Sequence, residues 1–378
     1  MQYENNREPQ DSDRGFNVTP TILIMAGGTG GHVFPGLAVA DYMKTAGWHV
    51  VWLGTEKGME TMLAPQQGYD MEIIRFSGLR GKNAATWFTL PLRLLLALWQ
   101  SVRVMLRVRP DVVLGMGGYP AFPGGLMASL LNKPLLIHEQ NSIPGLANRI
   151  LAKLADKVLL GFPDAIRNGK KVVFSGNPVR SEISQLEPPE KRYAARGNAG
   201  NGKLSLLVIG GSLGAQALNT IVPQALKLIP EKIRPRVTHQ AGTKNLESLR
   251  RNYAEAKVEG ELVTFIENMA ARYADCDLVV CRAGALTIAE LTAAGAASIL
   301  VPFPYAVDDH QTSNAKFLSD RNAAVLLPQD ELDPQSLADL LMGFTRQNLL
   351  EMAMKARKLA KPDATRLVAE ACMEMIEA

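Results

Sequence analysis

Two segments half a chain apart open in the same way, and this repetition restricts the fold more than any other feature of the sequence. Thr21–Ala26 (TILIMA) is a short apolar run that breaks into Gly27-Gly28-Thr29-Gly30-Gly31-His32. Leu204–Ile209 (LSLLVI) breaks into Gly210-Gly211-Ser212-Leu213-Gly214-Ala215. An apolar run ending in glycines and a hydroxyl residue, with helical periodicity behind it, is the pattern of a buried strand turning into a helix. Val50–Leu53, Asp111–Leu114, Pro134–His138 and Lys157–Leu160 continue the theme after the first opening, with a helix expected from near Pro35. Strands alternating with helices predict an α/β protein with parallel packing, and the recurrence predicts two Rossmann-like domains in tandem. A length of 378 residues is also too great for one ordinary core.

Ser175-Gly176-Asn177-Pro178 is turn chemistry, and 187–202 (EPPEKRYAARGNAGNG) is rich in proline, glycine and charge. The hinge is therefore expected at Pro178, with an N-terminal domain over 20–177, a C-terminal domain over 178–348, and a helical segment over 349–378 packing back toward the first domain. Residues 1–19 are polar, lack the apolar stretch of a secretory signal, and are expected to form a loose, disordered tail. A net charge of +4 is too mild to indicate a nucleic-acid partner. Cys276, Cys281 and Cys372 show no CxxC spacing, which favours a reducing compartment and gives no zinc site. Val112–Asn132 and Leu204–Leu226 carry no charge, but glycines and polar residues interrupt both, so no transmembrane segment is expected.

The first glycine cluster lets backbone approach a ligand closely, and a helix start behind it offers N–H groups to phosphate. A tight turn with no ligand is the simpler alternative. Counted from Gly28, the third glycine of a GxGxxG fingerprint falls on Val33, which argues against a nicotinamide dinucleotide. His32 is then a base, a phosphate donor or a structural residue, and Ser212 in the second cluster is a helix cap or a phosphate hydroxyl. Arg282-Ala283-Gly284-Ala285-Leu286-Thr287-Ile288-Ala289-Glu290 forms a third glycine turn after the strand Leu278–Cys281. Glu290, about one helical turn in, is suited to sugar hydroxyls or else faces solvent near the helix dipole. His138-Glu139-Gln140-Asn141 stands at the carboxyl end of a strand, where such sheets bind ligands, or forms a satisfied loop network. Asp275-Cys276-Asp277 resembles a metal-binding pair, but its place fits a helix end or turn, so no metal site is expected.

Trp87–Arg109 has amphipathic spacing, with Leu92, Leu95, Trp99, Val102 and Leu106 along one stripe and Arg93, Arg103, Arg107 and Arg109 beside it. Leu79, Arg80 and Lys82 precede it. The stripe suits either a membrane surface or a sheet-packed core.

In shared order and spacing, GGTGGHVFPGLAVA, LGMGGYPAFPGG, IHEQNSIPGLANR, SGNPVR, GGSLGAQALN, RAGALTIAEL and PFPYAVDDHQTSNA resemble the MurG family of N-acetylglucosaminyltransferases, from about Thr21 to about Ala315. The resemblance implies a GT-B fold, with the two domains facing each other across a cleft. It implies transfer of GlcNAc from UDP-GlcNAc to the C4 hydroxyl of MurNAc in undecaprenyl-pyrophosphoryl-MurNAc-pentapeptide (lipid I), with inversion to give lipid II, and with no cofactor or metal. It assigns Ser212 and the Ala285-Leu286-Thr287 turn, continuing through Ile288 and Ala289, to the donor diphosphate, together with Arg180. Ile266 would meet the uracil through its backbone, Glu290 the ribose, and Gln311 the GlcNAc. Thr29, Gly30, Gly31 and Asn141 would reach the same sugar or the acceptor's pyrophosphate. His32 is the first candidate for the base and Glu139 the second. Leu79, Trp87 and Phe88 would meet the membrane, placing the protein peripherally on the cytoplasmic face of the inner membrane in cell-wall synthesis. The rival readings are a UDP-GlcNAc epimerase of the same architecture and a scaffold that retains a nucleotide pocket.

Overall fold

The computed structural model describes residues 19–76, 89–167, 169–196, 202–211 and 214–377. Among them, β1 (Thr21–Ala26), β2 (His49–Thr55), β3 (Asp70–Ile74), β4 (Val112–Gly117), β5 (Leu135–Glu139), β6 (Lys157–Leu160) and β7 (Val172–Phe174) form a sheet in the order β3-β2-β1-β4-β5-β6-β7. A second sheet contains β8 (Ser205–Ile209), β9 (Arg236–Gln240), β10 (Glu261–Val263), β11 (Leu278–Cys281), β12 (Ser298–Leu300) and β13 (Val325–Leu326), ordered β10-β9-β8-β11-β12-β13. Every pairing is parallel. The second order repeats the first, strand for strand, apart from the extra β7. The order reverses at β1/β4 and at β8/β11, and crevices at such switch points are where doubly wound sheets bind ligands.

The strands are continuous apolar runs because helices cover both faces. Ile22–Ala26 in β1 and Leu278–Cys281 in β11 are buried throughout. The helix after β1 spans Gly30–Thr45, so it starts earlier than the expected position near Pro35. The glycines supply its first turn, and Pro35 sits inside the helix. After β8 the helix Gln216–Leu228 has Ala215 at its N-cap, and Ser212 lies outside the described residues.

The chain crosses between the sheets through Ser175–Arg180. Phe162 and Ile183 join the core of the second domain, and Phe162 packs edge-on to Phe317 with ring centroids 5.2 Å apart. In the opposite direction, the helix Ala364–Glu377 places Val368, Ala369, Ala371 and Cys372 in the first domain's core, beside Ile22 and Val39. Lys157 pairs with Glu374 of that helix at 2.7 Å.

The amphipathic helix spans Leu90–Val108. It ends because Arg109 is left-handed (φ 50°, ψ 52°) and Pro110 cannot continue the ladder. Its buried side is Ala97, Ser101, Val104 and Met105, so the larger apolar stripe faces outward. Leu92, Leu95, Trp99 and Leu106 are 72, 64, 55 and 62% exposed, which removes the core-helix alternative for those four. Leu79, Trp87 and Phe88 lie outside the described residues. No described helix is long and apolar enough to cross a membrane.

Candidate active site

At the end of β1 the backbone is held from three sides. The wholly buried Trp52 donates its indole N–H to the Ala26 carbonyl at 2.9 Å. Glu60, also fully buried, accepts from Gly28 N at 3.1 Å, Thr55 N at 3.0 Å and Thr55 Oγ1 at 2.9 Å. The end of β4 presses against the same loop. Gly118 is left-handed (φ 81°), and a Cβ there would lie 2.0 Å from the Gly27 carbonyl oxygen, so only glycine allows the approach. The chain then turns Tyr119, 44% exposed, toward Gly28. Thr29, Gly30, Gly31 and His32 follow as the N-cap and first turn of the helix Gly30–Thr45, with Thr29 exposed and His32 half-buried. Their amides form the kind of helix start that attracts anions.

The carboxyl end of β5 supplies a polar cluster that is almost wholly buried. Glu139 accepts from four donors: Asn141 N at 2.9 Å, Asn141 Nδ2 at 3.4 Å, Gly145 N at 3.2 Å and Asn148 Nδ2 at 2.9 Å. Its carboxylate therefore ties the loop to the helix Leu146–Leu154. Gln140 reaches the other way, and its Oε1 lies 3.0 Å from Nδ1 of His32. Burial pushes the His138 imidazole down to about 4, partly offset by its bond to the Gly176 carbonyl, so it is neutral near pH 7.

In the second domain, Gly284 caps the helix Ala285–Ala294, whose first turn carries Leu286 and Thr287, both partly exposed. Ile288 is buried and Ala289 half-buried behind them. Glu290 is 6% exposed rather than solvent-facing. It accepts from Arg180 at 2.9 Å and from the Tyr273 hydroxyl at 3.2 Å. Burial raises its pKa, opposed by the Arg180 charge and by hydrogen bonds from Arg180 and Tyr273. The Arg180 guanidinium also lies 5.5 Å from the centre of the Phe34 ring in the first domain. Ile266 is 5% exposed with its side chain in the core. Gln311 accepts from Phe303 N at 2.9 Å. Just before it, Asp308 and Asp309 are both left-handed (φ 51° each), a costly backbone for non-glycine residues that recurs at functional turns. Asp277 is buried between Arg196 at 2.8 Å and Arg346 at 3.4 Å and accepts from Ser205 N at 2.8 Å, so its carboxylate is engaged in the fold.

Asn314, fully buried on the helix His310–Ser319, joins the domains. Its Oδ1 accepts from Ser142 N at 2.9 Å and Ser142 Oγ at 2.8 Å, while its Nδ2 donates to Asn141 Oδ1 at 3.3 Å and to the Ala283 carbonyl at 3.2 Å. Asn141 and the Ala285 turn are thus brought together through one side chain. Sequence reasoning missed Asn314 and Glu60 as site residues, and it placed Gln140 at a ligand-binding strand end without its partner His32. Asn314 and Gln140 lie inside quoted motifs, but nothing in the linear order pairs them with residues more than a hundred positions away.

Two parallel doubly wound domains, joined at the mouths of their glycine turns, are the architecture of a nucleotide-sugar enzyme of the GT-B fold. Residues 22–160 match the glycosyltransferase family 28 N-terminal domain and residues 205–368 the family 28 C-terminal domain. The chain is similar to the UDP-N-acetylglucosamine–N-acetylmuramyl-(pentapeptide) pyrophosphoryl-undecaprenol N-acetylglucosamine transferase of Nitrosospira multiformis, 72% identical over 95% of this chain and 99% of that one. A protein of the same name from Nitrosomonas europaea is 62% identical over 93% and 98%. The crystal structure of Acinetobacter baumannii MurG superposes with a TM-score of 0.77 at 38% identity, covering 94% of this chain and 99% of that one. The chain belongs to the MurG family within glycosyltransferase family 28.

Proposed function

We propose that the chain transfers N-acetylglucosamine from UDP-GlcNAc to the muramyl sugar of the pyrophosphoryl-undecaprenol acceptor, lipid I, and that it does so with the residues described above. One observation carries the division of roles. The helices Gly30–Thr45 and Ala285–Ala294 touch across the cleft, bridged by Arg180, which lies over Phe34 and pairs with Glu290. The C-terminal turn of Ala285, Leu286 and Thr287 holds the donor's diphosphate, with Ser212 assigned to the same group from the sequence. Ile266 and Glu290 hold its nucleoside, and Gln311 its sugar. Thr29, Gly30, Gly31 and Asn141 line the acceptor side.

The reaction is one in-line displacement. The C4 hydroxyl of the acceptor attacks the anomeric carbon, the bond to the diphosphate breaks with its electron pair on UDP, and the hydroxyl proton passes to His32. Charge grows on the leaving diphosphate, where first-turn amides and Arg180 stabilise it. One helix start contributes about 0.3–2 kcal/mol to an anion, so several donors act together. Glu139 holds its loop rather than taking the proton, because four donors already occupy its oxygens.

The exposed stripe of Leu92, Leu95, Trp99 and Leu106 rests on the cytoplasmic leaflet of the inner membrane. Arg103, stacked over Trp99 at 4.9 Å, sits where it meets anionic headgroups. Paired substitutions Leu92→Asp and Trp99→Asp should abolish flotation with vesicles rich in anionic lipid, and undiminished flotation would remove this helix from the membrane reading.

A radiolabelled transfer assay with a short-chain lipid I analogue tests the whole assignment. Disaccharide product formed equally with and without EDTA is expected. UDP bound but never released in the presence of acceptor, or an isomerised donor with no acceptor present, would overturn it.

A further inference from the structure

The hydrogen bonds behind His32 settle which of its nitrogens carries the proton. The chain of logic begins at His138, on β5, which is fully buried. Its Nε2 lies 2.9 Å from the Gly176 carbonyl, which can only accept, so Nε2 carries the hydrogen. In the neutral ring Nδ1 is then a bare acceptor, and it faces Nε2 of Gln140 at 3.1 Å. The Gln140 amide nitrogen also donates to the Met116 carbonyl at 2.7 Å. Turning the amide over would press two carbonyl oxygens together at that distance, so the orientation of Gln140 is determined. Asn177 Nδ2 holds the Gln140 backbone carbonyl at 3.0 Å and keeps the residue in place. The remaining amide atom, Oε1, can only accept, and its partner is Nδ1 of His32 at 3.0 Å. His32 therefore bears its hydrogen on Nδ1. No described residue hydrogen-bonds its Nε2. Gly117 closes the space beside the ring, since a Cβ there would lie 2.7 Å from Nδ1 of His32.

We propose that Gln140 and His138 are positioning residues that lock His32 in the Nδ1–H tautomer, so that its Nε2 lone pair is held for the proton of the attacking hydroxyl. The inference rests on the reading of His32 as the base. As the new glycosidic bond forms, the hydroxyl proton moves to Nε2, the anomeric bond breaks with its pair on the diphosphate, and the imidazolium later returns its proton to water. Gln140 Oε1 stabilises that imidazolium through Nδ1–H without adding a charge. The titratable or charged groups on the elements around the loop are Glu60, His138 and Glu139 on or beside the neighbouring strands, Tyr119, and the Arg180–Glu290 pair at the facing helix.

The test uses the full-length enzyme with 15N-labelled histidine, the His32 resonances assigned by their loss in His32→Gln. The parent should show the Nδ1–H tautomer, and Gln140→Leu should shift it toward Nε2–H. Gln140→Leu should also lower kcat roughly 10- to 100-fold at unchanged donor KM. Gln140→Glu places a carboxylate on Nδ1–H, so the acidic limb of its kcat/KM profile should move up by roughly one to three pH units. A residue that merely supports the fold would not move that limb. An Nε2–H tautomer in the parent, or a Gln140→Glu profile that overlays the parent's, overturns the proposal. The two readings separate cleanly. If His32→Gln is inactive while the parent shows Nε2–H, the relay falls and the base stands. If His32→Gln keeps parental turnover, the base falls and the relay's catalytic role with it.

Discussion

The glycine loop after β1 and the one after β8 occupy the same place in two sheets of the same order, yet they are braced differently. Behind the first, groups from three neighbouring segments converge: the Glu60 side chain on Gly28, the Gln140 side chain on His32, and the backbone of Gly118, just after β4, on Gly27. Behind the second, the contacts among the described residues come from β9 and the helix Gln216–Leu228. Gln240 donates to the Gly211 carbonyl at 2.9 Å and Asn219 to the Ala241 carbonyl at 3.0 Å. Each domain also buries a neutral histidine. His138 passes its hydrogen bonds outward, through Gln140, to a half-buried imidazole. His239 closes its bonds on Asn219 at 3.1 Å and Tyr253 at 3.0 Å and reaches no surface group. Duplicated topology thus provides two helix starts, while only the first loop carries an imidazole joined by side-chain hydrogen bonds to a buried histidine, and the proposed acid–base chemistry belongs to that half. The first half should govern the chemical step and the second the grip on the donor.

His32→Ala is the strongest way to break this comparison. Removing a general base should lower kcat by roughly 10²–10⁴-fold, with UDP-GlcNAc binding by calorimetry close to that of the parent. A comparable loss of donor affinity would erase the division between the halves.

The two buried histidines come next. An unfolded histidine titrates near 6.5, whereas burial holds His138 down to about 4 and His239 down to about 3. The unfolded chain therefore binds more protons below pH 6.5, so the stabilisation is complete above that pH and is lost as pH falls toward 4 and then 3. Between pH 7.5 and 5, denaturant titrations should show about 2 kcal/mol lost for each histidine. A flat profile would mean that neither ring is held neutral.

On the donor side, Glu290→Gln keeps the side chain's shape and removes its charge. Donor KM should rise about tenfold, with kcat little changed, because one charge-assisted hydrogen-bond set is weakened. A fall in kcat at constant KM would move Glu290 into the chemistry and sharpen the comparison against us. The smallest effect is expected at the junction. Asn314→Ala removes the bonds to Ser142 and Asn141 and should cost about 1 kcal/mol, lowering the melting temperature by about 2–4 °C.

The strand runs and glycine turns were legible because apolar continuity and φ requirements are local properties. Both openings, and the third turn at Arg282–Glu290, stand at strand ends in the structure. The helix was expected from near Pro35 but starts at Gly30, with two glycines in its first turn directly behind the loop that Glu60 holds at Gly28. Glu290 offered either a sugar contact or a solvent-facing role. It is buried, because Arg180, more than a hundred residues earlier, supplies the compensating charge. The amphipathic stripe of Leu90–Val108 was open to two meanings, and only its packing showed which face looks outward.

By itself, the order of residues determined two parallel α/β units, the glycine turns at their strand ends, and the family whose motifs fill those turns. Such features depend on a residue and its near neighbours along the chain. Which imidazole nitrogen is bare, which carboxylate is already engaged, and how Asn314 stitches one domain to the other were decided only in three dimensions. Those properties depend on hydrogen-bond partners brought together by the sheets, and a linear pattern carries no record of which donor will meet which acceptor.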